Sequence, residues 1–326
     1  MWRGRLSSIK DYERTLTCFA RETFSISDHL MNQIVTLQSD RLKVEIWTLG
    51  ARLNGVWFDG IGNLVDGCAD EEEARTTKKF NGAVVGPVAN RIAGGRASID
   101  GTEYEFEKNE NGITTLHSGS TGVHAQTWDI LRHTDERLVM RLELPDGMGG
   151  FPGNRHLQAD YALGPTGIRL TLSAKTDALT WVNLAPHPYW RLSENGREGM
   201  RMSVLAEKYT PIDAQKIPTG QITKVDGTIF DLGKLGVPSS DIDHNFCLSD
   251  PQEKSDHHVQ VTGDLGVGMG IYCSTPGIQV FTGKEIGIAI EPQHFPDAMH
   301  HPRFPAIELR PGDEYREFST YQFSRL

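Results

Sequence analysis

The sequence predicts an all-β protein, one large antiparallel β-sandwich. Three observations carry that prediction. Apolar and polar residues alternate with period two in many short runs, as in Leu138, Met140, Leu142 and Leu144, the mark of strands with one buried face. The 34 glycines and 16 prolines punctuate the chain often enough to turn it every few residues. Only two stretches have helical spacing, and no Pro/Ser-rich linker or charge block divides the rest. Many antiparallel strands with few helices give a sandwich rather than an α/β layer.

The elements follow in order. Ile9, Tyr12, Leu16 and Phe19 have helical spacing. A more typical beginning starts at Met31, so residues 1–30 read as an appended extension and 31–326 as a single domain. That extension suits an over-long translation start; a targeting peptide is less well supported, because Asp11, Glu13 and Glu22 dilute its basic character. No apolar stretch follows Arg3, Arg5 and Lys10, so an ordinary secretory signal is not expected. Lys43 to Trp47 suggests the first strand, and the acidic patch Asp70 to Lys79 the second helical stretch. Ala97 to Phe106 reads as a hairpin, with Asp100-Gly101 as a favoured two-residue turn. Alternation resumes at Leu138–Leu144, at Ile168, Leu170 and Leu172, at Val259 and Val261, and at Ile278 and Val280. The run Ile286 to Ile290 reads as a buried strand that Glu291 ends.

Composition narrows the function. In 326 residues, 38% are hydrophobic and 23% charged, ordinary for a globular protein able to build its core without disulfides. A net charge of −10 disfavours nucleic acid and an anionic membrane surface as partners. It suits a neutral small molecule. The four cysteines are scattered without CxxC spacing, so reduced thiols in a cytoplasmic protein are expected. No apolar run approaches transmembrane length.

Four clusters carry chemistry-bearing residues. Glu291 follows an apolar run, so its carboxylate is either ion-paired with an arginine or desolvated with a raised pKa. His187 lies between Pro186 and Pro188, on a stiff loop flanked by Trp181, Tyr189 and Trp190. Rings beside a fixed imidazole suit a sugar; a core histidine bonded to a backbone carbonyl is the plain alternative. Arg91 follows Asn90 in an apolar setting and could hold hydroxyls or a carboxylate, or form a buried salt bridge. His117 precedes the turn Ser118-Gly119-Ser120. Asp243 could accept hydrogen bonds from two hydroxyls, or serve as a turn or capping residue. The chain has no HExxH, no GxSxG elbow and no Walker loop, so a catalytic metal, a serine nucleophile and a phosphate-cradling loop are not expected.

In one order along the chain, these blocks resemble the aldose 1-epimerase (mutarotase) family from about Leu42 to Phe323. Gly82 to Ile92 resembles its glycine-to-NRI block, and Leu116-His117-Ser118-Gly119 its LHGG. Asp146 to Gly153 resembles DGEEGYPG, and Asn183 to Leu192 resembles NLTNHSYFNL. Tyr209 to Asp213 with Ile217 to Gly220 resembles another shared block. Asp243 to Phe246 matches directly, Glu291 to Ala298 resembles ETQHFPDA, and Leu309 to Tyr315 resembles LRPGEEY. The resemblance implies a large antiparallel β-sandwich with an open sugar cleft and no cofactor. It implies Glu291 as general base, His187 as general acid, and Arg91, His117, Asp243 and the neighbouring Asn90 as substrate-binding. The chain departs from the pattern at Pro186, Pro188 and Ser118, and in the short segment between Gly283 and Glu291.

The expected reaction interconverts the α and β anomers of a hexose such as galactose or glucose. The anomeric hydroxyl loses a proton while the ring oxygen gains one. Both oxygens sit on one carbon, so a base and an acid must meet there. The expected arrangement is an ionised Glu291 beside a protonated His187, in a monomer or homodimer. Two other functions fit the sequence: an epimerase of a phosphorylated hexose, which needs a basic cluster, and a carbohydrate-binding protein without catalysis.

Overall fold

Strand alternation resolves into two large sheets and several short ladders in the computed structural model, which describes residues 32–248 and 257–326. The helical spacing at residues 9–19 lies outside the described residues. Every pair of named strands is antiparallel. The larger sheet has eight strands in the spatial order Arg201–Val204, Val259–Thr262, Val267–Cys273, Tyr315–Arg325, Gly167–Thr176, Arg155–Leu163, Arg137–Leu144 and Asp129–Thr134. The second has six: Tyr189–Trp190, Ile288–Gln293, Gly277–Phe281, Asp243–Cys247, Lys208–Thr210 and Thr223–Lys224. A three-stranded meander, Ile34–Gln38, Leu42–Trp47 and Arg52–Phe58, adds to them.

The expected hairpin is present as Arg96–Ile99 paired with Thr102–Glu105. Asp100 and Gly101 both have positive φ, 50° and 76°, the geometry that matches the twist of two strands joined by two residues. The acidic patch yields one short helix, Glu71–Arg75. Asp70 caps it by accepting from the Glu73 N–H at 2.8 Å. The remainder of the patch, to Lys79, is turn.

Period-two burial builds the core. Leu157, Ala159, Tyr161 and Leu163 are buried on one strand, and they meet Leu138, Leu142, Ile168 and Leu170 in the main apolar cluster. Apolar residues of the six-stranded sheet, Phe246, Ile278, Val280, Ile288, Ile290 and Trp190, enter the same cluster. Burying each such side chain stabilises the fold by roughly 1.5–3 kcal/mol relative to exposure. A second cluster gathers Phe106, Phe151, Trp181, Phe295 and Phe304.

The opposite face of the six-stranded sheet is polar, and this face positions the site. Cross-strand register sets Thr210, Asn245, Gln279 and Glu291 in one row, and Asp243, Phe281, Ala289 and Tyr189 in a second, two residues along. One point differs from the sequence expectation. The strand runs Ile288–Gln293, so Glu291 lies within it, and Ile286 is 39% exposed outside it. An apolar run suggests one buried unit, whereas period two sends Ile288 and Ile290 to the core and Glu291 to the other face.

Candidate active site

Glu291 and His187 are brought together by strand register. Tyr189 pairs with Ala289 and Trp190 with Ile288; carried two residues further, the same register sets His187 across from Glu291. There the chain leaves the sheet. Pro188 and Pro292 supply no N–H to a ladder, and the His187 backbone bonds elsewhere. Its N–H donates to the Ala83 carbonyl (2.9 Å), and its carbonyl accepts from the Gly82 N–H (2.8 Å). Only glycine fits position 82: φ is +71°, and an added Cβ would stand 2.2 Å from the Leu53 carbonyl oxygen. The residue next to His187, Pro186, is fixed in a two-residue ladder with Val84. The result is a His187 Nε2 to Glu291 Oε1 distance of 3.4 Å, both side chains almost fully buried.

His117 completes the cluster. Its ring centroid is 5.2 Å from that of His187, and the rings meet edge on. It sits just after Thr115–Leu116, which pairs with Arg91–Ile92, and it and Asn90 brace each other. The His117 N–H donates to the Asn90 carbonyl (2.9 Å), and the Asn90 N–H donates to His117 Nδ1 (3.0 Å). Nδ1 is therefore an acceptor, which places the proton of the neutral ring on Nε2. His117 and Ser118 both adopt left-handed backbone, φ 50° and 63°. The Ser118 hydroxyl secures that turn, accepting from the Val88 N–H (2.9 Å) and donating to the Val88 carbonyl (3.0 Å).

Burial controls the charges. It pushes the Glu291 carboxyl well above its ordinary value, with the nearby Asp243 charge adding to the effect. It pushes His187 down to about 4, His124 to about 3, and His117 well below the usual imidazole range. The reaction calls for an ionised Glu291 beside a protonated His187, and the sequence leaves open a desolvated carboxyl with a raised pKa. Burial instead favours the neutral arrangement, with the carboxylic acid facing the neutral imidazole. Either arrangement holds one proton between the two residues. Glu291 Oε2 and His187 Nδ1 are buried without a hydrogen-bond partner among the described residues.

The remaining expected residues lie around this pair. Asp243 is on the polar face of its strand, not in a turn or cap. Its Oδ1 accepts from Gln279 Nε2 (2.8 Å) and its Oδ2 from Lys216 Nζ (2.9 Å). Arg91 forms a salt bridge, Nε and Nη2 donating to Glu110 at 2.7 and 2.8 Å, while Nη1 stands 3.7 Å from Asp243. The Asn90 side-chain carbonyl accepts from the Arg91 N–H at 2.9 Å, so its visible work is to hold Arg91 and His117.

Sequence reasoning missed four participants. Gln279 is opposite Glu291, 3% exposed, with its Oε1 unpartnered. An amide between Ile278 and Val280 is the same signal that marked Glu291 and could have found it. Glu110, His124 and Phe80 carried no local signal. The Phe80 ring lies 4.6, 4.8 and 6.1 Å from those of His117, His124 and His187.

His117, His187 and Glu291 also offer ligand atoms within 4.8 Å of one another, a set that residue spacing did not foresee. The chemistry of His117 fits a metal poorly. Its Nδ1 is engaged by the Asn90 N–H, which leaves Nε2 protonated and without a lone pair for an ion. A protonated Nε2 suits hydrogen-bond donation to an oxygen.

A buried carboxyl–imidazole pair with a donor imidazole beside it, set among amide and carboxylate groups on one sheet face, is an arrangement able to move protons at the oxygens of a polyhydroxylated molecule. The chain belongs to the aldose 1-epimerase family, whose sequence profile matches residues 33–322. It is 34% identical to the galactose mutarotase of Mus musculus over 319 residues, covering 88% of this chain and 93% of the mouse protein. It is 30% identical to the aldose 1-epimerase of Escherichia coli K12 over 294 residues, 79% of this chain and 84% of the bacterial one. The fold is similar to that of a GalM/aldose epimerase homologue from C. elegans (TM-score 0.85, 23% identity, 91% of this chain and 100% of that one). It is also similar to a galactose 1-epimerase from Lactobacillus acidophilus (TM-score 0.80, 23% identity, 91% and 99%).

Proposed function

We propose that this chain is an aldose 1-epimerase, an isomerase that interconverts the α and β anomers of a hexose such as galactose or glucose. The observation that carries the reading is the buried His187–Glu291 pair at 3.4 Å. Ring opening removes a proton from the anomeric hydroxyl and adds one to the ring oxygen, and two groups this close can serve two oxygens on one carbon. Glu291 is the general base and His187 the general acid. Sugar hydroxyls that donate to the Glu291 carboxylate favour its ionised form, and the single proton of the pair then resides on His187. After rotation about the C1–C2 bond, closure on the other face returns both protons. Each positioned transfer contributes typically about 10²–10⁴-fold.

His117 donates from Nε2 to a sugar oxygen. Asp243, Gln279 and Arg91 bind hydroxyls, with Asn90 holding the last in place. Residues 1–30 are an extension outside the catalytic domain at 31–326; the family match beginning at residue 33 supports this. Cys68, Cys247 and Cys273 are free thiols, which suits the cytoplasm. Among the described residues no helix is long and apolar enough to cross a membrane.

Polarimetry of freshly dissolved α-D-galactose and α-D-glucose tests the function. Faster mutarotation that Glu291→Gln abolishes supports it. Saccharide binding without acceleration would replace it with a binding role.

A further inference from the structure

Asp297 is a buried carboxylate, 2% exposed, that the proposed proton transfer does not use. Its Oδ1 accepts from the Ala93 N–H (2.9 Å) and from His300 Nδ1 (2.7 Å). Its Oδ2 stands 3.5 Å from His301 Nε2, and that nitrogen is 3.1 Å from the Pro218 carbonyl. Both neighbours of Nε2 are acceptors, so this nitrogen carries the ring proton. Asp297 and His301 thus tie the segment that follows Glu291 to two others. The first carries Arg91. Ala93 comes directly after the Arg91–Ile92 ladder, so the carboxylate takes the first N–H beyond it; the paired strand, Thr115–Leu116, leads into His117. The second carries Lys216, whose Nζ donates to Asp243 Oδ2. Lys216 lies in a turn that Asp213 closes by accepting from the Gln215 and Ile217 N–H groups (2.8 and 3.0 Å), immediately before Pro218. Glu291 is anchored separately. Its strand pairs with Gly277–Phe281, and His294 exchanges two backbone bonds with the Asn183 amide (2.9 and 3.2 Å).

Resting on the epimerase reading, we propose that Asp297, acting with His301, is a positioning residue that fixes Arg91 and the Lys216–Asp243 pair relative to Glu291 for sugar binding. Hydrogen bonds to a carboxylate are the strong kind, and a buried N–H that loses its acceptor bears the full cost of desolvation. Because the strand ladder and Asn183 hold Glu291, loss of Asp297 should release the residues around the acid/base pair more than the pair itself.

Three variants test this. Asp297 has φ 55°, which glycine adopts freely, so Asp297→Gly removes the carboxylate and leaves the backbone conformation accessible. Asp297→Asn returns an acceptor to the Ala93 N–H. His301→Phe keeps a ring against Phe304, 4.8 Å away in the native protein, and removes the link to Pro218. In Asp297→Gly the KM for galactose should rise about tenfold, as loss of a charged hydrogen bond implies, with a smaller change in kcat; Asp297→Asn should recover part of it. A merely structural role would lower the amount of active protein and leave KM alone. The effect of Asp297→Gly should shrink in an Arg91→Ala background, and that of His301→Phe in a Lys216→Met background. An unchanged KM, or effects undiminished in those backgrounds, overturns the proposal. If Asp297→Gly does not fold, Asp297→Asn and His301→Phe decide by the same KM measurement. Hydrogen exchange reads the brace without any sugar: the Ala93 amide should exchange faster in Asp297→Gly while Ile288–Gln293 stays protected. If no sugar is exchanged by the wild type, the epimerase reading fails separately and this measurement decides; unchanged exchange at Ala93, or lost protection throughout the strand, removes the positioning role.

Discussion

Glu291 and His187 are held in an environment that opposes the charges their proposed acid/base roles require, and this has measurable consequences. The pair holds one proton over a wide range. It gains a second when His187 titrates, near pH 4, and it loses its last only above the ordinary carboxyl range, because burial raises Glu291. A plot of log kcat/KM against pH should therefore show an acid limb near 4 and a plateau through neutrality, reporting the pair rather than either residue. An acid limb near the ordinary imidazole value would show that His187 is not desolvated. Stability follows from the same shift. The folded protein binds the Glu291 proton more tightly than the unfolded chain does. The stability this gives is complete below the ordinary carboxyl pKa, about 4.3, and is lost as pH rises through the folded value. Glu291→Gln should thus lower activity by about 10²–10⁴-fold while raising Tm at pH 7, with the gain vanishing at pH 4. A lower Tm at pH 7 would contradict the desolvated carboxyl.

The turn at His117–Gly119 decides where one imidazole points. Its three residues all have positive φ, and only the last is a glycine. Ser118 stays in that conformation because its hydroxyl makes two buried bonds to the Val88 backbone. Ser118→Ala leaves the Val88 N–H and carbonyl unsatisfied and keeps the strain, so it should cost about 1–3 kcal/mol, read as a shift in the denaturant midpoint. Ser118→Gly removes the strain along with the bonds and should cost less. Equal costs would mean that the hydroxyl does not secure the turn. KM should rise in both, because His117 is carried on this turn.

Across the whole molecule, the two large sheets are joined through Trp190. Its ring is fully buried, with its centroid 4.8 Å from that of Tyr321 and 5.8 Å from that of Phe323, both on the eight-stranded sheet. Its own strand belongs to the six-stranded sheet and leads back to His187. Trp190→Ala should cost about 3–5 kcal/mol and reduce kcat as well, since the strand that positions His187 loses its anchor. Trp190→Phe should cost less, because the indole Nε1 is buried without a partner and its removal forfeits no hydrogen bond. Calorimetry and polarimetry on the two variants separate these outcomes; full activity in a destabilised Trp190→Ala would uncouple sheet packing from the site.

The all-β class, the Asp100-Gly101 hairpin and most of the residues that gather at the candidate site were legible in the sequence. Each is a local property: alternation marks a half-buried strand, two residues specify a tight turn, and a carboxyl, imidazole or guanidinium in an apolar run stands out against its neighbours. The tertiary structure alone decided which of them meet. Strand register put Glu291 inside its strand and across from His187, and a distant loop supplied Glu110 to Arg91. Gln279 joined the polar row because its strand lies between those of Asp243 and Glu291. It also set the electrostatics of the pair. Desolvation sums over every segment packed around a group, so no stretch of sequence contains it; here it pushes the Glu291 carboxyl up and the His187 imidazole down.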